Sequence, residues 1–132
     1  MTTEPRLSDY LHHMQEAAQN TLCYTADMDE SAFLADSRTQ QAVFFNFVIL
    51  GEAAAKLMAG HPAFLNQYPQ VPWRSIRDMR NQVAHGYFSI DTAVVWRTVR
   101  FALPDLLASL PAIIAAAVQQ NHEGEPPPAT AV

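Results

Sequence analysis

The chain has 132 residues, 49% of them hydrophobic and 16% charged, with a net charge of −5. That length and composition suit one globular domain with its own core, and they exclude a chain too polar to fold. Cys23 is the single cysteine, which excludes an internal disulfide and a cysteine-based zinc site, and the acidic total is not that of a general nucleic-acid binder.

No charged segment followed by an apolar stretch opens the chain, so no signal peptide is expected and a cytoplasmic location is. Few glycines and apolar residues at helical spacing predict an all-α fold. Leu7, Tyr10, Leu11, Met14, Ala17, Ala18 and Thr21 share one face of a first helix over about 7–24. An acidic loop and a short turn at Phe33-Leu34 follow, and Asp36 or Ser37 is placed to cap the next helix.

That helix, about 37–58, is the most apolar stretch. From Ala42 to Leu50 only Asn46 is polar, so the helix needs cover on every side, and a homodimer is the economical way to provide it. Glu52 and Lys56 argue against a membrane span. Glu52 in such surroundings needs a partner, and an arginine of the third long helix is the expected one. Prolines punctuate the loop from Pro62 to Pro72. The third helix is expected to run 72–85 with Pro72 in its first turn and Gly86 as its C-terminal cap. A fourth begins at Asp91 or Thr92, broken or kinked at Pro104 and again at Pro111. The domain is expected to span 1–118 and a disordered proline-rich tail 119–132.

The third helix gathers the polar chemistry. Between Trp73 and Arg100 there are five arginines against Asp78 and Asp91, so 5 − 2 = +3 locally, which leaves −8 for the remainder. Arginine grips phosphate with a planar fork of donors. Arg80 and His85 are five residues apart, about 140° around a helix, so one straight helix does not aim both at one point. A chain turn at Gly86 would let them converge. Two copies facing each other would bring two of each to one cleft. RNA cleavage needs a base for the 2′-hydroxyl proton, an acid for the leaving oxygen and a cation for the developing phosphorane charge. Histidine serves either proton role, Arg80 serves as the cation, and Asn81 can orient the ribose or His85.

The segment from Pro72 to Phe88, with Arg80-Asn81, His85 and Tyr87 at its centre, resembles the signature of the HepT-like family of the HEPN superfamily. Asp9-Tyr10-Leu11, Tyr24–Asp36, Thr39–Val43, Gly51–Ala54, Ile90–Trp96 and Leu103-Pro104 extend the likeness over roughly 6–110. The resemblance implies an antiparallel helical bundle of four to five helices that dimerises with the Arg/His motif in the interface cleft. It also implies a metal-independent ribonuclease toxin of a type VII-like toxin–antitoxin pair, with tRNA the favoured target and no cofactor. The implied antitoxin is a minimal nucleotidyltransferase of the MntA type that transfers AMP to the motif tyrosine. Carried over, Arg80, His85 and Asn81 are the catalytic candidates and Tyr87 is the AMPylation site. Arg77, Arg74 and Trp73 are candidates for substrate binding, and Glu52 for structural support. Departures are Phe45 and Val48, where the pattern often has Arg and Glu, and Asp78, where it often has Gly.

Plainer readings stand beside these. His85 also reads as a helix-end histidine, Tyr87 as a core or interface residue, and Trp73 as packing. Cys23 reads as a small buried hydrophobe, and His12 and Glu16 as a solvated face. The rival function is a non-catalytic HEPN module that binds a nucleotide, or a nucleotidyltransferase, through the same basic cleft.

Overall fold

The computed structural model describes residues 6–86 and 89–124. Four long helical stretches and two short ones make up the described chain, with no strand among the described residues. Helix α1 is Leu7–Tyr24, α2 Glu30–Leu34, α3 Ser37–Gly60, α4 Pro62–Leu65 and α5 Trp73–Gly86. The last stretch joins α6 (Thr92–Arg97), a π-helical turn (Thr98–Ala102) and α7 (Leu103–Gly124) without interruption. The all-α helical bundle expected from the sequence is thus the fold observed.

Helix α1 buries Leu7, Leu11, Met14, Ala17, Ala18 and Thr21 along one stripe, and the Thr21 hydroxyl is satisfied by the Ala17 carbonyl at 2.8 Å. Cys23 lies on the opposite face and is exposed, which corrects its assignment to the core. Helix α3 starts where the Asp36 carboxylate accepts the Thr39 N–H at 3.0 Å and the Thr39 hydroxyl at 2.8 Å. It runs between α1 and α5 and buries Val43, Phe44, Phe47, Leu50, Ala54 and Leu57 beneath them. Both α3 and the stretch Thr92–Asn121 are long and apolar enough to cross a membrane, but half of the α3 window is buried in the bundle. Such apolarity is what a core helix requires.

Three expectations change. The final helix is not broken at Pro104. Proline has no N–H for the Arg100 carbonyl, and its ring crowds that group in a regular helix. Here the preceding turn widens to π geometry, with the Leu103 N–H bonded to the Thr98 carbonyl, and the helix carries on through Pro111 as well. Helix α7 also continues past Gln119 to Gly124, with the Asn121 amide donating to the Ser8 hydroxyl on α1. That bond ties down residues expected to belong to a tail. Gly86 is the last residue of α5 and has no left-handed backbone. The end of α5 is held instead by the Ser89 hydroxyl, which donates to the Gly86 carbonyl at 3.1 Å.

Candidate active site on α5

Trp73 and Ile76 anchor α5 in the core. Trp73 is 8% exposed and donates its indole N–H to the Tyr68 carbonyl at 3.1 Å, so it packs and has little ring face left for a base. One turn on, α5 approaches α3 closely because residue 51 has no side chain. A Cβ at Gly51 would overlap the Arg80 Cβ, lie 2.9 Å from the Arg80 nitrogen and 3.1 Å from the Arg77 carbonyl. This close crossing sets Arg80 beside the next residue of α3. Arg80 Nη1 donates to Glu52 Oε1 at 3.0 Å, and Arg80 Nε donates to Asn81 Oδ1 at 3.2 Å. Glu52 therefore has the arginine partner that its place in an apolar helix called for.

The Arg80 side chain is 28% exposed, held by two partners yet reachable from solvent. The Asn81 amide oxygen accepts from Arg80, and Asn81 and His85 stand one turn apart on the same face of α5. His85 is exposed in the last turn of α5. Since α5 stays helical through Gly86, His85 stands about 140° around the axis from Arg80 and about 7.5 Å further along it. The turn that would have swung the two together within one chain does not occur before Gly86. Arg77 is committed to Asp78, with Nη2 and Nε at 3.0 and 3.2 Å from Oδ1. Arg74 is exposed. Tyr87 lies outside the described residues.

The outer face of α3 runs beside this site. Phe45 is 66% exposed there, Val48 and Ile49 are half-buried, and Glu52 and Lys56 continue the stripe. These residues sit at i, i+3, i+4, i+7 and i+11 on one helix face. Tyr10 and His13 of α1 flank it, with ring centroids 6.4 Å apart and planes at 88°. Together with Glu52, Ala53 and Lys56 they line a cavity of about 250 Å³. Tyr10, placed by the sequence on the apolar face of α1, is only partly buried, and His13 is exposed. Glu52 and Lys56, one turn apart in an otherwise apolar helix, are the sequence signal that this face is open to solvent.

The profile of the family described as Ribonuclease HepT-like matches residues 14–113. A "Putative RNase" of Methanocaldococcus jannaschii is 32% identical over 116 residues, covering 88% of this chain and 89% of its own. The "Probable ribonuclease HepT" of Thermococcus cleftensis is 35% identical over 98 residues, covering 74% of this chain and 86% of its own. No solved structure matches. With a family match across most of the chain and relatives named as ribonucleases at near full length, this protein belongs to the ribonuclease HepT-like family of the HEPN superfamily.

Proposed function

We propose that this protein is a metal-independent endoribonuclease and the toxin of a toxin–antitoxin pair, acting in the cytoplasm as a homodimer. The observation that carries the reading is the Arg80–Glu52 pair at the Gly51 crossing, with exposed His85 on the same helix. In the proposed reaction the RNA 2′-oxygen attacks the adjacent phosphorus, the bond from phosphorus to the 5′-oxygen breaks, and a 2′,3′-cyclic phosphate remains. A histidine takes the 2′-hydroxyl proton and a protonated acid returns one to the departing 5′-oxygen. Arg80 steadies the charge on the non-bridging oxygens with two parallel N–H donors.

A second subunit supports this chemistry in two ways. His85 and Arg80 diverge on one helix, so a facing copy supplies the missing group from the other side. Exposed Phe45, with half-buried Val48 beside it, gives that copy an apolar seam on α3. Phe45 and Val48 stand where the family pattern often carries charge, which strengthens the seam.

Inhibition follows from the same geometry. AMP placed on Tyr87 by a nucleotidyltransferase of the MntA type adds bulk and negative charge two residues from His85, where RNA phosphate must bind. The test is cleavage of tRNA and single-stranded RNA in EDTA by the wild type and by His85→Ala. Cyclic phosphate ends from the wild type alone are the expected result. Inactivity of the wild type across RNAs would favour the second reading, a non-catalytic module that binds nucleotide. The carboxylates already paired with Arg77 and Arg80 are the observation on its side.

A further inference from the structure

We infer that the groove between α1 and α3 is a nucleobase subsite, which holds one unpaired base of an RNA strand next to the phosphate gripped by Arg80. The inference rests on the ribonuclease reading and extends it to the class of substrate. Tyr10 and His13 stand with their ring planes at 88°, and so form an inside corner. A planar base stacks on one ring there and turns its edge to the face of the other. Ile49 and Ala53 of α3 supply an apolar floor, and the volume of about 250 Å³ has room for one base and not for a duplex.

The two ends of the groove carry the chemistry that ties it to a strand. Glu52 lines the groove and is the residue that accepts from Arg80 at 3.0 Å, so the base site and the phosphate site share a wall. Its carboxylate takes a ring or exocyclic N–H from the base edge. Lys56 lies one turn further along α3, and its ammonium meets the next phosphate. An apolar floor, an aromatic corner, an acceptor and a cation, spaced along one groove, match a single-stranded segment with its bases turned out. The bases of a duplex are stacked on each other and do not reach such a corner.

The test compares binding of two fluorescent strands of equal length, a 2′-O-methyl oligoribonucleotide and the same backbone without bases. Neither has a 2′-hydroxyl that can attack, so binding is read apart from cleavage. The wild type is expected to bind the base-bearing strand about tenfold more tightly, as one stacked base would produce. His13→Ala, at an exposed position, and Tyr10→Ala should remove most of that ratio and leave the affinity for the abasic backbone unchanged. Arg80→Ala should weaken both strands alike. Equal binding of the two strands, no binding of either, or an unchanged ratio in His13→Ala and Tyr10→Ala overturns the subsite. Loss of the ratio together with dissociation of a dimer, read by light scattering, assigns the groove to the subunit contact and also overturns it. Cleavage of ordinary RNA, measured in parallel, separates the two readings. Cleavage without base-dependent binding defeats the subsite alone, and base-dependent binding without cleavage defeats the ribonuclease alone.

Discussion

Gly51 on α3 lies so close to Arg80 on α5 that a methyl group there would overlap the arginine's Cβ and approach its backbone nitrogen to 2.9 Å. The obstacle is backbone and the root of a side chain, which cannot swing aside as a flexible side-chain end could. Gly51→Ala should therefore push α5 off α3, cost about 1–3 kcal/mol of stability and lower RNA cleavage by displacing Arg80. Chemical denaturation and a cleavage assay on one preparation check both effects. A fully active Gly51→Ala protein would mean that the crossing does not position the arginine.

Glu52→Gln keeps the shape of the Arg80 partner and removes its charge. The pair is about half exposed on the carboxylate side, so its stability contribution should be within about 1 kcal/mol. Its effect on catalysis should exceed that. An arginine without its anchor meets phosphate more freely but less well aimed, so KM should fall while kcat falls further. Steady-state kinetics with a short RNA distinguishes this split from a purely structural defect, which would move stability first.

His85 is exposed, so its removal should leave folding almost untouched. The expected loss of cleavage in His85→Ala is about 10²–10⁴-fold, with a stability change within about 0.5 kcal/mol. Expression toxicity and the melting temperature report the two quantities independently. Unchanged toxicity would remove His85 from the chemistry.

Phe45 offers the sharpest probe of assembly. Phe45→Glu places a charge in the middle of an exposed apolar stripe and outside the core of the single chain. The variant should stay folded by circular dichroism, run as a monomer by light scattering and lose cleavage. A dimer that persists would move the subunit seam elsewhere, with the exposed Phe101, 71% accessible, as the next place to look.

The Asp36 cap carries a pH dependence. Its carboxyl is held below the ordinary value of 3.8, first by the Thr39 N–H and then by the Thr39 hydroxyl. A lowered value in the folded state means that the charged carboxylate stabilises the fold. This contribution is complete above about 3.8 and is lost as pH falls through the lowered value. Asp36→Asn keeps a capping side chain with no titration. Melting temperature against pH should therefore fall more steeply for the wild type than for Asp36→Asn in that acid range.

Much of the bundle was legible in the chain because helical periodicity and caps are local properties. The stripe from Leu7 to Thr21 names the buried face of α1, and Asp36-Ser37 marks the start of α3, where Asp36 is the cap. The need of Glu52 for a cationic partner was also legible, since a carboxylate among Ile49, Leu50, Ala53 and Ala54 needs one. Cys23 was misplaced because residue type outweighed its position on the far side of the α1 stripe. The passage of the final helix through Pro104 was hidden because a π turn is a geometric answer to proline that composition does not announce.

What the sequence by itself determined is the four long helical stretches, the buried face of α1 and the chemical types collected on α5, because each depends on neighbours within a few residues. Which arginine meets Glu52, and that Tyr10 and His13 of α1 stand beside Glu52 of α3, were decided only by the tertiary structure. Those pairings depend on the distance and rotation between helices far apart in the chain. At the site, that distance is set by the absence of a side chain at Gly51, which lets α5 approach until Arg80 and Glu52 are 3.0 Å apart.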